Sequence, residues 1–163
     1  MKTIYLDGGC FWGTQKFFDQ FDGVLETEVG YANGSTRNAT YEEVCADSGH
    51  AETVRVVFDE ARMPLEELLR YYFMVIDPTS VNRQGGDEGI QYRTGIYYTD
   101  PSLRKGILKY CGKVEEELGQ PIAVEVLPLQ NFCSAEEYHQ KYLEKNPGGY
   151  CHIGAHMFGL GGK

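Results

Sequence analysis

The 163-residue chain has no apolar run of membrane-spanning length, which excludes a span made of one long hydrophobic helix. It also lacks a basic cluster. With 15 Lys and Arg against 24 Asp and Glu, the formal net charge is -9. Nucleic-acid phosphates need clustered cations, so a polynucleotide partner is excluded, and the charge serves solubility. Cysteine is sparse and odd in number: five residues, Cys10, Cys45, Cys111, Cys133 and Cys151, with no CxxC pair. That pattern argues against a structural disulfide framework. A stable zinc site needs four ligands at suitable spacing, and Cys151, His152 and His156 supply three, so no metal is expected. There is no repeat, no low-complexity linker and no shift of composition, so residues 1–163 are expected to form a single domain. The start lacks the apolar segment of a signal peptide, and the expectation is a cytoplasmic protein.

What is present is ordinary globular composition, 42% hydrophobic and 24% charged. "KTIYLD" reads as a strand, and Phe11 to Phe21 as a helix with Phe17, Phe18 and Phe21 on one side. "VLETEVGY" alternates, which predicts a half-buried strand with Leu25, Thr27, Val29 and Tyr31 on one face. "HAETVRVVFD" is a further strand. "PLEELLRYYFMVI" is an amphipathic helix, Pro64 at its start and Leu65, Leu68, Leu69, Tyr72 and Ile76 in one stripe. "GIYYTD" and "IAVEVLPL" read as strands. Between them lies a helix capped by Asp100, with a stripe of Leu103, Ile107, Tyr110, Cys111, Val114 and Leu118. A capping box, Ser134-x-x-Glu137, predicts a helix through "SAEEYHQKYL", followed by a glycine-rich irregular tail. Interleaved strands and helices give an α/β (α+β) class, one sheet with helices packed on it.

Chemistry concentrates at "DGGCFWG". Cys10 follows a strand and two glycines and opens a helix, whose free N–H groups and partial positive charge predict a lowered thiol pKa. Phe11 and Trp12 are adjacent and cannot share one helical stripe, so at least one lines a surface or a pocket beside the sulfur. Glu52 is in phase with Val54, Val56 and Phe58. Either it is a buried acid with a raised pKa, able to donate a proton near neutrality, or the strand end frays and it turns to solvent. Residues 77–94 run long without apolar periodicity and carry Asn82, Arg83, Gln84, Asp87, Gln91 and Tyr92 among glycines; so long a loop points to a role in a site. Tyr41 and Tyr92 offer hydroxyl donors. Cys151, in "NPGGYCHIG", is either a tail residue without a role or a mobile thiol able to reach Cys10. Cys111 and Cys133 read as structural, as does Cys45.

The ordered set "GGCFWG", "GYANG", "TYEEVCADSGHAETVRVVFD", "DPTSVNRQGGDEGIQYRTGIYY" and "AEEYHQKYLEKNPGGYCHIG" resembles methionine sulfoxide reductase A, the peptide-methionine (S)-S-oxide reductase family. The resemblance implies a two-layer sandwich around a mixed sheet. It implies Cys10 as nucleophile, Glu52 as acid, Phe11 and Trp12 as walls of a methyl pocket, and Tyr41, Asp87 and Tyr92 as further pocket residues. Cys151 matches a resolving cysteine. No cysteine follows it here, so a single Cys10–Cys151 disulfide is implied, reset by thioredoxin or, in vitro, by dithiothreitol, with no bound cofactor. Substrates would be free methionine sulfoxide and the S epimer in oxidised proteins and peptides, and the expected state is a monomer. Two rival readings carry weight: a thiol peroxidase or disulfide reductase, and a non-catalytic module binding methionine side chains.

Overall fold

A computed structural model describes residues 1–34 and 49–160 of the chain. Six strands form one mixed sheet: β1 (Lys2–Gly8), β2 (Val24–Ala32), β3 (Ala51–Phe58), β6 (Thr94–Tyr98), β7 (Glu125–Pro128) and β8 (Phe132–Ser134). Their order is β7-β6-β1-β3-β2-β8; β6 and β7 pair in parallel and every other pair is antiparallel. A separate two-stranded hairpin, β4 (Arg83–Gln84) with β5 (Asp87–Glu88), stands in the long loop.

Alternation along the strands fixes the core. Leu6 opposes Val54, Ile4 opposes Val56, and Ile96 opposes Leu6, so one sheet face is a continuous apolar surface. Against it pack α1 (Phe11–Asp19), α2 (Leu65–Met74) and α3 (Arg104–Leu118) through Phe11, Phe17, Phe18, Leu68, Leu69, Tyr72, Ile107 and Cys111. Each fully buried Phe or Leu contributes roughly 1.5–3 kcal/mol to the fold. Asp100 caps as expected, its side chain accepting from the Ser102 amide, although the first turn it starts is a 3-10 segment, Pro101–Leu103.

Leu118, expected in the apolar stripe, is exposed at the end of α3, and the structure corrects further expectations in β2 and after β8. Leu25 does not join the inner face. The β2–β3 register slips by one residue between Val24 and Glu26, so Leu25 is the extra residue of a β-bulge and turns outward while Val24 enters the core. No helix forms over 134–143 either. Ser134 ends β8 and its hydroxyl donates to Glu28 instead of capping. Only a 3-10 turn, Glu137–His139, and the short α4 (Tyr142–Lys145) appear, separated by Lys141 in a left-handed conformation. Gln140 explains the break. Its side chain accepts from the Val29 amide and donates to the Val29 carbonyl, and this edge contact holds the chain out of helical geometry.

Candidate active site

The first turn of α1 is built around a constraint at Gly9. Its φ is +83°, and a side chain there would meet the Gln84 Cβ at 2.6 Å. Gln84 in turn closes the long loop, accepting from the Asp77 amide and donating to the Asp77 carbonyl. The loop is therefore pinned under the turn that presents Cys10, and Asp87 and Tyr92 are carried to the same place.

A cleft of about 150 Å³ results, lined by Cys10, Phe11, Trp12, Glu52, Asp87, Tyr92, His139 and Tyr150. Every described residue expected in the pocket is there; Tyr41 lies outside the described residues, as does Cys45. A larger groove of about 350 Å³, bordered by Leu65, Glu66, Gly106, Lys109, Tyr110 and Lys113, holds no nucleophile and no buried acid. Both line the cleft, Phe11 as a fully buried residue continuous with the core and Trp12 as a partly exposed one at the rim, so their side chains differ in setting as their spacing requires. Trp12 is fixed on two sides. Its indole N–H donates to His139 Nδ1 at 3.0 Å, and its ring stacks on Tyr142 at 3.8 Å with 10° between planes.

Glu52 is 2% exposed, in line with its phase on β3. One oxygen accepts from the Phe11 amide at 3.2 Å. Burial nevertheless pushes its pKa up to about 8, with the nearby Asp87 charge acting in the same direction, so the carboxyl keeps its proton at neutral pH. The reading of a frayed, solvated Glu52 fails on this burial.

Cys10 departs from expectation. It precedes the first helical residue, but it is 8% exposed, and burial raises its thiol pKa well above the ordinary value. The Glu52 charge adds to that rise; the amide of Trp12 opposes it without reversing it. Desolvation of the thiolate outweighs the helix terminus. The resting cleft thus holds a neutral thiol beside a neutral acid.

Cys151 is free and partly buried, and its Sγ lies 2.9 Å from where a Gly13 side chain would begin. The tail is thus already docked on α1, near enough for a Cys151 charge to act on Cys10. Cys111 is buried in the α3 core stripe, and Cys133 lies on β8 rather than before a helix cap.

Sequence reasoning missed His139 and Tyr150 as pocket walls. Burial lowers the His139 pKa, and acceptance from Trp12 at Nδ1 puts the neutral ring's proton on Nε2. The Tyr150 ring rims the cleft with its hydroxyl near Gly86 and Asp87. Both lie in the "AEEYHQKYLEKNPGGYCHIG" stretch: His139 within the segment whose capping box predicts a helix, Tyr150 beside Cys151 in the glycine-rich tail, and the aromatic and histidine side chains ahead of that cysteine were the available signal.

Among the described residues no helix is long and apolar enough to cross a membrane, and no group of three or more His, Cys, Asp or Glu is arranged to hold a metal ion. The family model "Peptide methionine sulfoxide reductase" matches residues 2–159. A peptide methionine sulfoxide reductase MsrA of Lachnoclostridium phytofermentans is 59% identical over 158 residues, covering 96% of this chain and 95% of its own. Reduced Mxr1 from Saccharomyces cerevisiae superposes with a TM-score of 0.87 at 38% identity, over 92% of this chain and 88% of its own. Mxr1 in complex with Trx2 superposes with a TM-score of 0.62 at 26% identity, over 86% and 84%. A thiol, a buried acid and an aromatic wall in one cleft, on this fold and at this identity, place the chain in the MsrA family of peptide methionine sulfoxide reductases.

Proposed function

We propose that the chain reduces the S epimer of free and protein-bound methionine sulfoxide through a sulfenic acid on Cys10, which Cys151 resolves as a disulfide and thioredoxin resets. The observation that carries this reading is a carboxyl group protonated up to about pH 8, in the same small cleft as the Cys10 thiol and the Phe11–Trp12 wall.

The substrate's S=O oxygen is a poor leaving group unless protonated. Glu52 gives its proton to that oxygen while the Cys10 sulfur attacks the sulfoxide sulfur, and it then takes up the proton the thiol releases; the hydroxyl passes to the Cys10 sulfur as the new S–S bond breaks, and its electron pair stays on the methionine sulfur. The sum balances: sulfoxide plus thiol yields methionine plus sulfenic acid. The charge of Asp87 helps to keep Glu52 protonated before substrate arrives. Both acids lie in a water-poor cleft, where a positioned proton is worth more than in solution.

Methyl, oxygen and attacking sulfur each have a separate place, against Phe11 and Trp12, at Glu52 and at Cys10. A chiral sulfoxide fits all three in one hand only. The family implies that the hand is S. About 150 Å³ admits the end of the side chain and not the main chain, which suits free and protein-borne substrate alike. Cys151 then condenses with the sulfenic acid to a disulfide, releasing water. The Trx2 complex of the yeast relative supports a thioredoxin as the reductant, and that reductant implies the cytoplasm.

The test is incubation with each sulfoxide epimer and dithiothreitol. Methionine should form from the S epimer alone and should not form with Cys10→Ser. Equal use of both epimers would remove the geometric argument. Hydrogen peroxide consumed as fast as sulfoxide would favour the peroxidase reading.

A further inference from the structure

Cys151 has a neighbour that the reaction described above leaves idle. The His152 ring fills the gap between the Gly8–Gly9 turn and the β4–β5 hairpin. Its Nε2 is 3.3 Å from the position a Gly9 side chain would take, and its Cβ is 3.0 Å from that of Gly85. A side chain begun at Gly13 would meet Cys151 Sγ at 2.9 Å and His152 Cε1 at 3.6 Å, so thiol and imidazole stand side by side against α1. One turn away on the same helix start is Cys10.

Both ring nitrogens of His152 are buried; the ring faces the Gly8 carbonyl, but neither nitrogen has a partner in good hydrogen-bond geometry among the described residues. A buried ring so weakly satisfied calls for a role. The groups facing the ring are the Gly8 carbonyl and the Asp87 carboxylate, with the Cys151 thiol close by and Cys10 following directly on the Gly8–Gly9 turn that the ring packs against. The Gly8 carbonyl and Asp87 favour the charged ring, but burial prevails and holds it neutral. The Cys151 thiol donates to the Ile153 carbonyl at 3.5 Å.

We infer that His152 carries the proton of the resolving step, taking it from the Cys151 thiol and delivering it to the hydroxyl that leaves Cys10. This rests on the reading of Cys151 as the resolving cysteine. The Cys151 sulfur attacks the sulfenic sulfur, the S–S bond forms and the S–O bond breaks. The sulfenic sulfur is reduced, the thiol is oxidised, and the hydroxyl leaves as water with the proton that Cys151 gave up. No outside reagent enters, and the imidazole ends neutral as it began. A neutral base already beside the attacking thiol removes the need for free thiolate, which an unassisted thiol supplies only in small amount at neutral pH.

The experiment is rapid-quench single turnover with methionine sulfoxide and no reductant, on wild type, His152→Gln and Cys151→Ser. Methionine is counted, and the Cys10 sulfenic acid is trapped with dimedone. In His152→Gln the sulfenic acid should outlive that of wild type by about tenfold or more near pH 7, while the methionine burst slows less. Its decay should also quicken by about tenfold per pH unit as solvent takes over deprotonation of the thiol, whereas wild type should be nearly flat above the histidine pKa. Imidazole added to His152→Ala should restore the decay. Sulfenic acid lost at the wild-type rate in His152→Gln overturns the proposal. So does a slower decay that keeps the wild-type pH profile and ignores imidazole, since the ring then only packs. If sulfenic acid vanishes from Cys151→Ser as fast as from wild type, the resolving assignment itself fails, and the two failures are told apart.

Discussion

Cys10 and Glu52 are each out of range for an ordinary side chain, and in the same direction. Both hold protons that a solvated thiol or carboxyl would give up more readily. The consequence is a pH profile with one limb. Methionine formation in a single turnover should be level through the neutral range and fall above about pH 8, where Glu52 loses its proton. Glu52→Gln keeps the shape without a transferable proton, and should slow this step by about two to four orders of magnitude and remove the alkaline limb. A variant with the wild-type rate and the wild-type limb would transfer the donor role to another group, Tyr92 being a candidate in the cleft. The acidity of Glu52 was legible in its phase along β3. That of Cys10 was not, because a helix terminus is visible in sequence while the burial that overrides it depends on how the tail and the long loop close over it.

At the scale of elements, α1 does the positioning. It starts where Gly9 lets the chain turn over Gln84, and Gly13, one turn on, leaves room for the Cys151 sulfur. Gly13→Ala puts a methyl 2.9 Å from that sulfur, closer than side-chain carbons come to their neighbours, so the tail must yield. The thioredoxin-driven cycle should slow several-fold while the methionine burst from Cys10 falls less. Equal loss in both assays would show that Gly13 serves the helix alone. The long strands and helices were readable because each has a period that burial enforces. The bulge at Leu25 was not, since a single added residue shifts the phase without disturbing composition. The missing helix at 134–143 failed for a related reason: a local capping pattern lost to tertiary bonds, Ser134 to Glu28 and Gln140 to Val29. Period reports on faces, and His139 and Tyr150 reach the cleft by a path that has none.

For the whole molecule, the face of the sheet opposite the helices holds a second buried acid. Asp7 is 0% exposed, accepts from the Thr53 hydroxyl at 2.6 Å, and is pushed by burial up to about 8. Arg93 and Glu125 pair at 3.0 Å nearby, and Tyr97 donates to Glu125. Asp7 and Glu52 both titrate near pH 4 when unfolded. Between that value and about 8 the folded chain binds more protons than the unfolded one. Stability should therefore fall as pH rises through this window, with both groups contributing to the slope, and level off above it. Asp7→Asn imitates the protonated carboxyl and should remove about half of the slope, read from urea midpoints across a pH series. A slope equal to that of wild type would mean that Asp7 is ionised in the fold.

The cleft joins segments far apart in the sequence. Cys10, Phe11 and Trp12 come from the start of α1 and His139 and Tyr150 from beyond β8, with Cys151 docked on α1 nearby. Synthesis proceeds from the N-terminus, and the early strands and helices can pack before the end of the message is read. During that interval the nucleophile exists without its rim, without the histidine that fixes Trp12, and without the thiol that stands beside it. Until the segment that carries His139, Tyr150 and Cys151 docks on α1, the cleft around Cys10 lacks one of its walls. Closure of the site is therefore a late event of folding, set by residues that the ribosome delivers long after the thiol they enclose.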